Sequence, residues 1–447
     1  MGVPFKIQMA LREDKSPEDL NSSVWSKYGL RESPFVTTPT RLLDTLPIDK
    51  VFSGRTIETK KMRNILNSSN TTRTLVLGDF GFGKTTFVNY VKWYLCVKDK
   101  EKSEFVTTPI EIKIQPDWDA TKFLQSTLSA IYNASVIFRW QDNNMNLRSL
   151  KKIEEYVTVG TQKAVQGTVG VIGVGYSETK SIPAIISPEI YESFLTALCL
   201  ELRNSGKQLL LSYDNMENVN VATLADFFKT IRDYIQIDGL HSIFIGHTKS
   251  LSALEKYPQV HSVFSQSIIL NALSSENVLE ILKKRCEALK FKDGNYIPPY
   301  DEATVKDIYA KLNNIRFTFK VLEDTTILTE SKAPCKITIS EIRAVQEIEK
   351  QSILSKLTKQ ETKIISELMY VENKIKLGRL AILTKIGTTN LNAPLKKLEE
   401  KGLITVVTSE EDRRIKYAQI SQNSYLQCVF ASEEIKKKSP DNLIEPR

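Results

Sequence analysis

The 447-residue sequence predicts an α/β fold, with a parallel sheet covered by helices on both faces. An all-helical segment should follow, then a C-terminal helix-turn-helix with a two-stranded wing. Three observations predict it. Short apolar runs alternate with helical patterns up to about residue 272, which implies a parallel sheet buried on both sides. A glycine-rich loop joins one of those runs to a helix. The period then becomes purely helical, until turn signals and a polar hairpin appear near the end.

Residues 1–33 are polar and irregular and read as an N-terminal extension. Proline and threonine are frequent over 34–54, a loop wrapping onto the next domain. Ile57–Leu66 reads as a helix, Arg73–Leu77 as a strand, and the segment from Lys84 to about Val97 as the next helix. Pro109–Ile114 is a second strand, and Asp119 caps a helix running to about Ala134. Pro188–Asn204 is helical, Lys207–Tyr213 is a strand ending at Asp214, and His241–Ile245 is another strand. An insertion at about 136–187 interrupts the alternation. Its charged stretch Arg148–Tyr156 is helical, and its Gly- and Val-rich stretch 157–176 reads as a hairpin or a small-residue sheet. From Ser274 the helices are Ser274–Leu289, Asp301–Leu312, Arg316–Thr329 and Ser340–Leu354. The expected domains are a base at 34–272, a helical segment at 273–354, a C-terminal unit at 355–432 and a polar tail at 433–447.

Hydrophobic residues make up 41% and charged residues 26%, an ordinary globular balance. No apolar run is long enough to cross a bilayer, and the start is not basic-then-apolar, so a cytoplasmic protein with no membrane partner is expected. The five cysteines are scattered without a C-x-x-C pair, which excludes a disulfide frame and a cysteine zinc site and predicts mostly buried thiols. His241, His247 and His261 fall in one region, but their spacing does not bring them to one helical face. The net charge of +8 permits nucleic-acid binding without requiring it.

The motif G-x-x-x-x-G-K-[ST] is met by Gly78, Gly83, Lys84 and Thr85. Between a strand and a helix, such a loop turns backbone N–H groups inward around phosphates, and the helix N-terminus adds positive potential. The candidate nucleotide-binding residues are Gly78, Asp79, Phe80, Gly81, Phe82, Gly83, Lys84, Thr85 and Thr86. Lys84 would reach the β- and γ-phosphates of ATP, and Thr85 would ligate Mg²⁺. The second cation ligand should be acidic, at the end of an apolar strand beside the loop strand, and Asp214 fits after Leu209–Leu211. The next residue is Asn215, which cannot accept a proton from water. Either Glu217 takes that role or hydrolysis is slow.

These motifs together resemble the AAA+ ATPases of the origin-recognition type found in archaea and eukaryotes, over roughly residues 34–345. The segment Tyr28–Phe35, then Phe52-Ser53-Gly54-Arg55 with Glu58, is similar to the lead-in that packs by the adenine in that family, which implies that Arg55 is a nucleotide-site residue. Gly246-His247-Thr248-Lys249 follows a strand where the family places a polar sensor, implying Thr248, with His247 and Lys249 as rivals. Asn313-Asn314-Ile315-Arg316 resembles the turn from which an arginine contacts the γ-phosphate. The resemblance implies a helical lid at 273–354 and the roles of Lys84, Asp214, Glu217, Thr248 and Arg316 in catalysis. The chain departs from the family at 258–264, where an arginine finger is usual and none is present. Such a finger is worth about three or more orders of magnitude in rate, so a slow switch is expected.

Over 357–421, Thr358 and Glu361 form a capping box, and Ile364, Ile365 and Leu368 mark the buried face of its helix. Leu380–Ile386 forms a second short helix, Gly387–Asn390 a turn, and Leu391–Lys401 a third helix. Strands at Thr405–Val407 and Tyr417–Ile420 flank the polar hairpin 409–414. This order is that of a winged helix-turn-helix and resembles MarR-type domains at 398–404 and 412–414. In such domains the third helix enters the major groove and a wing arginine reaches the minor groove or backbone. The resemblance implies contacts to double-stranded DNA from Thr389, Asn390, Asn392, Lys396, Lys397 and Arg413 or Arg414. Pro394 should be tolerable only in the first turn of its helix.

The expectation is therefore an ATP- and Mg²⁺-binding, slowly hydrolysing AAA+ protein that binds DNA in replication initiation or maintenance. Whether it forms a homo-oligomer stays open. Two alternatives remain. One is a signalling or defence NTPase of the STAND kind, whose winged helix contacts protein and whose Gly-rich insertion fits that role. The other is a non-hydrolysing transcription or plasmid-maintenance regulator.

Overall fold

The computed structural model describes residues 23–99, 101–140, 145, 147–155, 187–220, 223–264, 266–291, 294–329, 333–369, 374–408 and 415–421. The Gly-rich stretch 157–176 and the wing tip with Arg413 and Arg414 lie outside them. Two compact units divide the chain, one of residues 38–288 and one joining residues up to 37 with those from 289 onward.

The first unit contains helix α1 (Thr56–Leu66), strand β1 (Thr72–Gly78) and helix α2 (Lys84–Lys92), whose continuation Trp93–Val97 widens to i→i+5 bonding. Strands β2 (Phe105–Thr107) and β3 (Ile112–Lys113), helices α3 (Ala120–Ile137) and α4 (Pro188–Asn204), strand β4 (Gln208–Asp214) and helix α5 (Leu224–Ile231) follow. Strand β5 (Leu240–Gly246), helix α6 (Thr248–Glu255), strand β6 (Gln266–Leu270) and helix α7 (Ser275–Leu289) complete it. The helix expected to open the lid thus groups with the sheet, except for its last residue.

The strand order is β2-β4-β5-β1-β6, and β3 pairs with β4 beyond β2. All pairings in this sheet are parallel. The expectation of a parallel sheet covered on both faces holds. Side-chain alternation explains it. Leu75, Leu77, Leu209, Leu211 and Tyr213 pack into one core, and Val76, Leu210, Ile243 and Ile245 into another. One detail differs from the sequence reading. The strand carrying Asp214 is not beside β1, because β5 lies between them. Strand order is a long-range property that no local pattern encodes.

A polar ladder crosses the three central strands near their starts. His241 lies between Thr72 Oγ1 (2.8 Å from Nδ1) and Gln208 Oε1 (2.6 Å from Nε2). Since the amide oxygen only accepts, Nε2 carries a proton. Burial lowers its pKa to about 4.

The second unit holds helices α8 (Glu302–Leu312), α9 (Ile315–Leu328) and α10 (Ile339–Ser355). Residues expected to form part of an N-terminal arm pack among them. Phe35 meets Trp25, Tyr300 and Phe319 edge-on, and the Tyr28 hydroxyl donates to the Cys335 carbonyl at 2.9 Å. The lead-in read as one piece therefore divides, with Tyr28–Phe35 in this unit and Phe52–Glu58 in the sheet unit.

Helix α11 (Lys359–Met369), strand β7 (Ile375–Lys376), helices α12 (Leu377–Thr384) and α13 (Thr388–Glu400), and strands β8 (Ile404–Thr408) and β9 (Lys416–Ile420) end the described chain. The three strands form an antiparallel sheet in the order β7-β9-β8. The Thr358–Glu361 capping box is present, with Glu361 Oε2 accepting from Thr358 N–H at 2.8 Å. Helix α13 starts three residues before the expected Leu391. Pro394 therefore falls in the second turn, not the first as expected, and offers no N–H to the carbonyl four residues back. It is buried beside Leu391, Leu395 and Leu398.

Among the described residues, no helix is long and apolar enough to cross a membrane, and no cluster of His, Cys, Asp or Glu could hold a metal. Cys96, Cys199 and Cys286 are buried as expected, whereas Cys335 is exposed.

Candidate nucleotide site

The loop between β1 and α2 gets its shape from glycine. A Cβ on Gly78 would lie 2.7 Å from the Leu270 carbonyl of neighbouring β6, so no other residue fits without a shift. Gly83 caps α2 in the left-handed region (φ 77°, ψ 25°), which an L side chain rarely adopts. Lys84 begins the helix. Its Nζ donates to the carbonyls of Gly78 (2.9 Å) and Asp79 (3.0 Å), which holds the ammonium over the start of the loop. Asp79 and Phe80 are exposed, while Gly81, Phe82, Thr85 and Thr86 are half-buried.

The distant acidic strand meets the loop through one bond. Thr85 Oγ1 donates to Asp214 Oδ2 at 2.8 Å. The intervening strand β5 does not prevent this, because α2 crosses over the sheet and delivers the hydroxyl to the end of β4. Burial raises the Asp214 pKa, against the Thr85 hydroxyl and the Asn215 N–H, which favour the carboxylate. A hydroxyl and a carboxylate this close are hard oxygen donors suited to a magnesium ion. The chain therefore fits the cation its loop motif implies.

Asn215 is left-handed (φ 66°, ψ 41°), and its N–H donates to Asp214 Oδ1 at 2.8 Å. Glu217 is exposed on the single turn Met216–Asn218, and its charge pushes the Asp214 pKa further up. Thr248 Oγ1 donates to Asp79 Oδ1 at 3.0 Å, and His247 Nε2 lies 3.3 Å from the same oxygen. His247 also caps α6, its Nδ1 accepting from Lys249 N–H at 3.1 Å. Thr248 and His247 thus both reach the loop, and Lys249 is exposed. Arg55, only 7% exposed, pairs with Glu58 at 3.1 Å and donates to the carbonyls of Phe82 and Asn271. It braces the loop from its backbone side. Arg316 belongs to the helical unit, in the first turn of α9, which Asn314 caps by accepting from the Arg316 and Phe317 N–H groups at 3.0 and 3.2 Å.

Four residues escaped the sequence reading. Asn89 and Lys92 are buried on α2, and Arg41 pairs with Glu111 at 2.7 Å close to Asp214. Asn89 and Lys92 follow Thr85 by four and seven residues, so helical period alone could have flagged a polar inner face. No local signal links Arg41 to Glu111.

In the C-terminal unit Thr389, Asn390, Asn392, Lys396 and Lys397 are all exposed on α13. Lys396 Nζ lies 3.9 Å from Glu400 on the same helix.

No family model matches the chain, and no curated relative matches it. Among solved structures it is similar to the Aeropyrum pernix ORC2 protein in ADPNP–ADP complexes, at 16% identity over 85% of this chain and 93% of that one, with a TM-score of 0.44. The Aeropyrum pernix ORC1 protein in complex with DNA gives 14% identity, 91% and 97% coverage, and 0.46. Thermotoga maritima RuvB T158V gives 15%, 84% and 94%, and 0.37. These are loose likenesses. The α/β assignment rests on the parallel sheet, its order and its helix-covered faces.

Proposed function

We propose that this chain is an ATP-binding AAA+ switch whose C-terminal unit is a winged helix that binds double-stranded DNA. The observation that carries the reading is the Thr85–Asp214 bond at 2.8 Å, which joins a phosphate-loop hydroxyl to a carboxylate 129 residues away. Gly78–Thr86 would cradle the phosphates, and Lys84 would turn from its carbonyls to the β- and γ-oxygens. Thr85 and Asp214 would hold Mg²⁺, which neutralises charge on the bound phosphates. Thr248 would sense the last phosphate, with Arg55 bracing the loop. Glu217 is the nearest candidate to polarise water. Because Asn215 cannot act as a base, turnover is slow in this reading.

For DNA, the support is the exposed Thr, Asn and Lys face of α13 above a leucine core. These side chains suit base edges and phosphates. Arg413 and Arg414 would add wing contacts. A non-hydrolysing regulator is the second reading, and Asn215 favours it.

The test measures ATP and DNA binding together in wild type and Lys84→Ala. The expected result is loss of ATP affinity by about two orders of magnitude, since the lysine makes charged hydrogen bonds, with altered DNA affinity. Unchanged affinity for both would defeat the coupling. DNA binding that ignores salt would favour protein contacts for the C-terminal unit, and measurable ATP turnover would remove the second reading.

A further inference from the structure

Thr85, Asn89 and Lys92 share one face of α2, the face turned to the sheet, where apolar residues are the rule. Each is bonded instead. Asn89 Nδ2 donates to the Thr40 carbonyl at 3.2 Å, and Lys92 Nζ donates to Ser212 Oγ at 3.0 Å and reaches Thr108 Oγ1 at 3.4 Å. Asn89 and Lys92 are 1% and 0% exposed. Alternation along β4 puts Ser212 and Asp214 on the face that meets this stripe. A polar seam therefore runs from the phosphate loop into the core.

Arg41 closes the seam. Its Nη2 donates to Glu111 Oε1 at 2.7 Å, and its Nε approaches both carboxylate oxygens at 3.2 and 3.3 Å. Burial alone would raise the Glu111 pKa, but the Arg41 fork, a backbone N–H and the charges of Arg41 and Lys92 together hold the carboxylate below its usual range. Glu111 leads into β3, whose Ile112 and Lys113 pair with Tyr213 and Asp214, so the pair lies beside Asp214, where Arg41 feels its charge and Glu111 repels it. Two buried carboxylates beside a phosphate loop would oppose an incoming polyanion. Arg41 supplies compensating charge within the same chain, and the stretch 258–264 contains no arginine.

We propose that Arg41, clamped by Glu111, is a positioning residue of the nucleotide site that sets its preference for a third phosphate. The inference rests on the nucleotide reading of the loop. The cation side of the site, at Thr85 and Asp214, is the side of the β- and γ-oxygens. A charge acting there distinguishes ATP from ADP, whereas the loop backbone holds both.

The experiment measures ATP and ADP affinity of the full chain with Mg²⁺, in wild type, Arg41→Ala, Arg41→Lys, Glu111→Gln and Lys84→Ala. Arg41→Ala should reduce the ATP-over-ADP preference by about tenfold, the size expected of one nearby charge, with ADP affinity within about twofold. Arg41→Lys should lose part of the preference, since it keeps the charge without the fork. Glu111→Gln removes an opposing carboxylate and leaves the Arg41 charge, so it should not lower the preference, and added to Arg41→Ala it should recover part of the loss. Equal weakening of ATP and ADP, or an unchanged ratio, overturns the proposal and leaves Arg41 a structural brace. If Arg41→Ala does not fold, the ratio in Arg41→Lys decides. If Lys84→Ala leaves both nucleotides bound, the nucleotide reading itself falls. If Lys84→Ala loses both while the Arg41 variants keep the ratio, only this proposal falls.

Discussion

Helix α2 turns Thr85, Asn89 and Lys92 inward, where each is bonded to a partner far away in sequence, whereas α13 turns Thr389, Asn390, Asn392, Lys396 and Lys397 outward. A buried polar group without a partner costs about 1–3 kcal/mol, so the inward face of α2 constrains everything opposite it. An exposed polar face carries no such demand. The loop between β1 and α2 is therefore a region whose geometry is written in its own bonds. The C-terminal helices fix only a scaffold beneath an exposed polar face.

That contrast can be broken first in the scaffold. Leu398 is fully buried in the C-terminal core, and Leu398→Ala should lower stability by about 2–5 kcal/mol in denaturant unfolding. A loss below about 1 kcal/mol would mean this unit is not a packed core at all.

The sheet unit can be probed through the His241 ladder. With the folded pKa near 4 and an unfolded value near 6.5, the unfolded chain takes up the proton first. Stability should be complete above pH ~6.5 and decline by roughly 3 kcal/mol as pH falls to ~4. Replacing His241 by Gln should remove that slope. An unaltered slope in the variant would place the titration elsewhere.

A smaller effect, of opposite sign, belongs to α13. Pro394→Ala restores a helical N–H, and even after the loss of some packing it should raise stability by about 1 kcal/mol. Destabilisation would show that the proline's packing outweighs the bond it forgoes. The smallest stability effect is expected at Lys397→Ala, within about 0.5 kcal/mol, while DNA affinity drops and its salt slope decreases by about one. An identical salt slope would remove Lys397 from the contact surface.

The same contrast explains what was legible in the sequence. The loop, Asp214, the Asp119 cap and the long helices were readable because their signals are local, whereas Asp301, read as the first helical residue, is a cap. Strand β7 was missed because it has two residues, and β6 because it is a five-residue edge strand with exposed Gln266 and Ile269. The separation of β1 from β4, and the Arg41–Glu111 pair 70 residues apart, are products of tertiary pairing. The start of α13 was misplaced because Gly387 and Thr388 read as a turn, although the glycine serves as the cap.

The left-handed backbone at Asn215 limits how this chain could be remodelled. Asparagine is among the few residues with a side chain that visit that region readily, and others lose roughly 1–2 kcal/mol there. Installing glutamate at 215 would strain the turn that aims its N–H at Asp214. Asn215→Glu should therefore destabilise the fold by about 1–2 kcal/mol in denaturant unfolding.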